Sequence, residues 1–93
     1  DMVSSRKIYE KYVEGLGLVR YGKLTIADLI EINETKDDLE RGLKAIYLML
    51  KKADEKLTFE KVKQLELDVA LKLIQALSDD ITKQTRFLQT MSV

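Results

Sequence analysis

The sequence predicts an all-α fold, a small bundle of four to five helices that ends in a long amphipathic helix. Three observations support this prediction. The 93 residues contain no proline and only four glycines, so little interrupts helix formation. Threonine is followed three residues later by aspartate at Thr25 and at Thr35, as in the capping boxes that begin helices. Apolar residues recur at helical spacing, and we expect helix over more than about 65% of the chain, well above the usual third.

The N-terminal part of the chain predicts a short amphipathic helix. Its apolar positions follow helical spacing: Ile8, Tyr9, Tyr12, Val13 and Leu16. Gly15, Gly17 and Gly22 fall within eight residues and are expected to end this helix. Residues 18–21 lie between glycines and are compatible with an extended segment, which is too short to predict a sheet.

Three further helices are predicted before the last one. The first begins at the cap Thr25 and is expected to bury Ile26, Leu29, Ile30 and Ile32. The second is capped by Thr35 and covers residues 36–53, with acidic residues at its start and lysines at its end, as the helix dipole favours. The third is short and begins after Thr58. The residues that we expect to be deeply buried are Leu43, Ile46, Leu50, Ile74 and Leu77.

The last predicted helix carries a heptad ladder. Its positions alternate in steps of three and four: Leu67, Ala70, Ile74, Leu77, Ile81, Gln84, Leu88 and Met91. Up to Leu77 the ladder is broadened by Leu71 and Leu73, which is typical of a helix face buried in a bundle. Beyond Leu77 it is narrow. We therefore predict one helical domain over residues 1–93, with residues 82–93 as a helix end that protrudes or depends on a partner.

The narrow part of the ladder is the candidate site for protein binding. The predicted partner-binding residues are Ile81, Gln84, Phe87, Leu88 and Met91. Exposed contiguous apolar surface usually marks an interface, so we expect either self-association into a homo-oligomer or capture of a partner helix. The alternative is that the ladder packs within its own chain.

Composition disfavours most other classes of function. Sixteen basic and sixteen acidic residues give a net charge of zero, without the basic excess that is typical of nucleic-acid binding. The chain has no cysteine and no histidine, so Ser-His and Cys-His catalytic pairs cannot form. We predict no enzymatic activity, no catalytic residues, no metal site and no cofactor. No apolar run is long enough to cross a membrane, and we expect a cytoplasmic protein.

One nucleic-acid hypothesis stays open. Four tyrosines could stack on bases, and basic residues lie near the first three of them: Tyr9, Tyr12, Tyr21 and Tyr47, with Lys7, Lys11, Arg20 and Lys23. The helices capped by Thr25 and Thr35 would then form a helix-turn-helix of a small regulator. The zero net charge, and Glu31 and Glu34 near the turn, favour instead tyrosines that surround a small helical core.

The chain also resembles the tail assembly chaperones of tailed phages and proviruses. Residues 20–31 read RYGKLTIADLIE, which is similar to the extended segment and Thr/Ser-capped helix at the start of that family. Residues 39–52, 57–60 and 65–68 are similar to its central, short and closing helices. The resemblance covers about residues 18–80. The predicted N-terminal helix departs from it, because the family pattern implies more strand there.

The resemblance implies a role in assembly. It suggests a chaperone or adaptor that holds the tape measure protein soluble while tail tube subunits are recruited. The expected function is therefore non-enzymatic protein binding through an apolar helical surface, and the small helix-turn-helix regulator is the alternative.

Overall fold

The computed structural model describes the backbone of residues 7–91 and the side chains of residues 7–79. Within that range an antiparallel β-hairpin is followed by four helices. The strands are β1 (Tyr9–Val13) and β2 (Gly17–Tyr21). The helices are α1 (Ile26–Asn33), α2 (Asp38–Lys51), α3 (Phe59–Lys63) and α4 (Leu67–Met91).

The prediction of an all-α fold is wrong, because the N-terminal segment forms the hairpin and not a helix. Tyr9 lies opposite Tyr21, and Val13 lies opposite Gly17. The helices contain 8, 14, 5 and 25 residues, or 55% of the chain, and so fall short of the expected fraction. The fold is a mixture of α and β structure.

Two glycines explain why the chain reverses here. Gly15 has φ +89° and Gly17 has φ +88°, values that side-chain-bearing residues rarely adopt. Between them the Leu16 N–H donates to the carbonyl of Val13 at 2.9 Å and closes a turn. Short apolar runs fit a strand as well as a helix, and only the pairing across the turn distinguishes the two.

The hairpin is fastened to both long helices. The Gly22 N–H donates to the carbonyl of Met49 in α2 at 2.9 Å. The Lys11 ammonium donates to the carbonyl of Ala76 in α4. At Gly22 a Cβ would lie 2.6 Å from the Cβ of Lys52, so the close approach of β2 to α2 requires glycine.

Two of the three predicted caps are confirmed. Thr25 and Asp28 form a reciprocal capping box at the start of α1. The Thr58 hydroxyl accepts the Lys61 N–H at the start of α3. The third is wrong: the cap of α2 is Asp37, whose carboxylate accepts the Glu40 N–H at 3.0 Å. The Thr35 hydroxyl instead donates to the carbonyl of Glu31.

The core lies between α2, α4 and the inner face of the hairpin. Its main cluster of buried residues is Tyr21, Ile46, Met49, Leu73 and Leu77. A second cluster joins α2 to α3 through Tyr47, Leu48 and Val62. Both form because α2 is apolar on two sides: the five residues 45–49 are all buried.

The predicted core is confirmed in part. Ile46 and Leu77 are fully buried. Leu43, Leu50 and Ile74 are only partly buried, because they lie at the edges of the two clusters. The predicted buried face of α1 is wrong for Ile26 and Ile30, which are 76% and 56% exposed.

Candidate protein-binding surface

The side of α4 that packs into the core agrees in part with the predicted one. Ala70, Leu73 and Leu77 are buried, and these residues are three and four positions apart. Leu67 and Leu71 were expected to belong to the same buried face, but they are 66% and 45% exposed. The expectation fails because successive residues are rotated by about 100° around the helix axis. Positions 67 and 71 therefore lie on a side of α4 next to the one that carries Ala70, Leu73 and Leu77.

Leu67 and Leu71 form the start of a second apolar side of α4, which we call the α4 stripe. The two residues are four positions apart and therefore lie one above the other. Leu65, two residues before the first residue of α4, is also exposed. Polar residues border the stripe toward solvent, since Asp68, Lys72 and Gln75 are exposed. An apolar centre with a polar rim is the usual anatomy of a protein interface.

The packed side of α4 is held in place by contacts along its first half. Ile74 Cδ1 lies 3.6 Å from the position that a Cβ of Gly42 would occupy, which is an ordinary contact distance, so α4 packs directly against α2 at this point. The Ser78 hydroxyl donates to the carbonyl of Gln75, next to the carbonyl of Ala76 that Lys11 contacts. These contacts fix the orientation of α4, and the α4 stripe is exposed on the side of the helix that they leave uncovered.

The predicted partner-binding residues lie in the second half of α4. The helical backbone of α4 continues to Met91. The side chains in question lie outside the described residues: Ile81, Gln84, Phe87, Leu88 and Met91. Their role stays a prediction, as does the proposal that residues 82–93 form a protruding helix end.

The electrostatics disfavour the helix-turn-helix hypothesis. Its second helix would be α2, and the exposed start of α2 carries Asp37, Asp38 and Glu40, which repel phosphates. Tyr21 and Tyr47 are buried and unable to stack on bases.

The basic residues of the supposed nucleic-acid patch already have protein contacts. Lys7 and Lys23 each place their ammonium group 5.3 Å from the centre of the Tyr9 ring. Lys11 binds the carbonyl of Ala76, and Arg20 pairs with Glu10 at 3.1 Å. These contacts leave a mixed surface instead of a basic stripe.

A carboxylate and a lysine form the most shielded ion pair among the described side chains. Asp28 Oδ2 accepts from the Lys52 ammonium at 2.7 Å and from the Thr25 N–H at 2.8 Å. Burial raises the pKa of Asp28, but the hydrogen bonds from Lys52 and Thr25 outweigh it and hold the pKa below its ordinary value. The pair therefore serves the structure, since its carboxylate oxygen is already occupied twice.

Neither a metal-binding cluster nor a membrane span occurs among the described residues. Among the described residues, no group of three or more acidic side chains converges as a metal site would require. Over the same part of the chain, none of the helices combines the length and the apolar character of a membrane span.

Sequence reasoning missed the outer face of the hairpin. Tyr12 and Leu18 lie opposite each other on it and are 69% and 68% exposed. No alternation with a period of two marks this face in the sequence, because residues 8–13 read IYEKYV, with apolar and polar residues in pairs that fit helical spacing.

Comparisons with protein-family models, with curated proteins and with solved structures found no match to this chain. The resemblance to the tail assembly chaperones therefore stays a prediction that is based on the sequence pattern.

Proposed function

We propose that this chain is a non-enzymatic protein-binding module, an assembly chaperone or adaptor similar to the phage tail assembly chaperones. The observation that carries the proposal is the α4 stripe. Leu67 and Leu71 present apolar side chains to solvent from a helix whose opposite side is packed, and such a surface gains free energy when a partner covers it.

The partner that suits the stripe is an apolar face of a helix. Helix-in-groove recognition uses anchors spaced by three and four residues, the spacing that relates Leu67, Leu71 and the partly buried Ile74. Positions 81 and 88 lie four and eleven residues after the buried Leu77, so on the helical backbone they continue the packed side of α4 and not the α4 stripe. The α4 stripe and the predicted partner-binding residues are thus two separate proposed surfaces on one helix, and the experiment below tests the α4 stripe.

The resemblance supplies the class of partner. The family pattern has an extended segment that runs into a Thr/Ser-capped helix, and here β2 leads into α1 through the cap Thr25. The sequence predicted an N-terminal helix where the family pattern has more strand. In the structure this segment is the strand β1, so that difference from the family pattern disappears. By this resemblance the partner is a tape measure protein, and a cytoplasmic location is part of the proposal.

Co-expression with a phage tape measure protein tests the proposal. The soluble fraction of the tape measure protein is measured with the wild-type chain, with Leu67→Lys/Leu71→Lys and with Ile26→Lys/Ile30→Lys. The last variant is a matched control, because it also places two charges four residues apart on an exposed helix side. We expect the wild type and the control to raise the soluble fraction and the α4 variant to fail, since burying two charges is costly.

Two outcomes would contradict the proposal. If the α4 variant raises the soluble fraction as well as the wild type does, the α4 stripe is not the binding surface. If the wild type has no effect, the chaperone role is wrong. Circular dichroism of each variant verifies that the helices remain folded. A gel shift on duplex DNA that weakens steeply between two salt concentrations would favour the regulator instead.

A further inference from the structure

The outer face of the hairpin presents large apolar side chains to water. Side chains alternate along a strand, so Ile8, Tyr12 and Leu18 lie on the face opposite the buried residues Val13 and Tyr21. The outward side of an antiparallel sheet is normally polar when it stays in solvent. A partner that covers this face would remove Tyr12 and Leu18 from water.

The charges on this face complement each other. Glu10 and Arg20 lie opposite each other between the apolar residues, and Oε2 is 3.1 Å from Nε. We call the five outward residues the hairpin face: Ile8, Glu10, Tyr12, Leu18 and Arg20. Because its two charges cancel and the whole chain has a net charge of zero, two copies do not repel each other. A two-fold axis parallel to the strands and between them would place Glu10 of each copy opposite Arg20 of the other.

A cleft lies beside the hairpin face. It has a volume of about 440 Å³, and Leu18 forms part of its wall. Most of its other lining is apolar and comes from the hairpin turn, β2, α2, α4 and the loop before α3: Leu16, Val19, Leu50, Ala53, Leu57 and Leu73. Arg20 and Asp54 add two opposite charges to its lining. A protruding apolar side chain next to an apolar cleft is a self-complementary arrangement, since each copy supplies both parts to the other.

We propose that two copies of this chain form an isologous dimer through the hairpin face. Leu18 of each copy enters the cleft of the other, and Glu10 of each copy pairs with Arg20 of the other. A two-stranded hairpin is marginally stable by itself. The core covers its inner face, and the dimer would bury its outer face as well. Leu67 and Leu71 do not line the cleft, so the dimer leaves the proposed function on α4 independent.

Charge reversal tests the pairing of the two faces. In Glu10→Arg both charged positions of the hairpin face become basic, and in Arg20→Glu both become acidic. Each variant alone should dimerise at least about tenfold more weakly than the wild type, because like charges meet across the axis. An equimolar mixture of the two variants should regain association, since a basic face then meets an acidic one. Sedimentation velocity over a range of concentrations measures this.

A second pair of variants tests the apolar contact. Leu18→Asp should abolish the dimer, whereas Ile26→Asp, at an equally exposed position on α1, and Leu67→Lys/Leu71→Lys on α4 should remain dimeric. Circular dichroism establishes that each variant is folded. A wild type that is monomeric at high concentration would overturn the proposal. So would charge-reversal variants that dimerise as well as the wild type, or a dimer that only the α4 variant disrupts.

Discussion

The ammonium of Lys52, at the C-terminal end of α2, lies 2.7 Å from Oδ2 of Asp28 in the first turn of α1. Both side chains are largely shielded from solvent. The same oxygen accepts the Thr25 N–H that begins α1. One carboxylate thus completes a helix cap and joins the start of one helix to the end of the next.

Replacing this carboxylate with an amide should lower the stability of the fold by an amount that depends on pH. The pKa of Asp28 is lower in the folded chain than in the unfolded chain, so the ionised group stabilises the fold above about pH 4. That contribution is lost as the pH falls through the folded pKa. Asp28→Asn should therefore lower the free energy of unfolding by about 1–3 kcal/mol at neutral pH, and the difference should shrink at about pH 3.

Urea unfolding at both pH values measures this effect. The matched control is Asp38→Asn, because the carboxylate of Asp38 is 96% exposed and its contact with Arg41 is 3.6 Å long. The control should change stability little at either pH. A loss in Asp28→Asn that is equally large in acid would show that packing, not charge, is responsible.

The two core positions Leu77 and Leu43 should differ in sensitivity. Leu77→Ala leaves a cavity in a fully buried site and should cost about 2–5 kcal/mol. Leu43→Ala removes a partly buried side chain, and its loss should be about 1–2 kcal/mol. Denaturant unfolding of both variants measures which substitution lowers the free energy of unfolding more. Equal losses would mean that Leu43 belongs to the core proper.

Gly17 and Gly42 should respond in opposite directions to alanine. Gly17 has φ +88° and no neighbouring atom within 4 Å of a new Cβ, so Gly17→Ala should cost about 1–2 kcal/mol through the backbone alone. Gly42 lies inside α2 with ordinary contact distance to Ile74, and Gly42→Ala should stabilise by about 0.5–1 kcal/mol. Thermal unfolding measures both. A stabilising Gly17→Ala would contradict the observed turn.

The cap of α2 can be tested by comparing its two candidates. Asp37→Ala removes the acceptor of the Glu40 N–H and should cost about 1 kcal/mol. Thr35→Ala loses only the exposed hydrogen bond to the carbonyl of Glu31 and should cost less than about 0.5 kcal/mol. Urea unfolding distinguishes them. A larger loss at Thr35 would restore the cap that the sequence predicts.

Local signals in the sequence predicted the helices well from Thr25 onward. The caps Thr25 and Thr58 act on atoms three residues away, so the sequence contains everything that decides them. Ile46 and Leu77 were identified as core because each lies at the centre of a helical apolar pattern. The candidate site in the second half of α4 stays a prediction, and the first half of that helix exposes Leu67 and Leu71 rather than burying them.

The tertiary structure decided what depends on residues far apart in the chain. Tyr9 pairs with Tyr21 only because Gly15 and Gly17 reverse the backbone, and the apolar spacing of residues 8–16 alone fits a helix equally well. The side of α4 that faces the core is selected by α2 and the hairpin, which a periodic pattern does not specify. The sequence by itself therefore determined where most helices begin and which residues are apolar. Packing between distant segments decided which of those residues are buried and which remain on the surface.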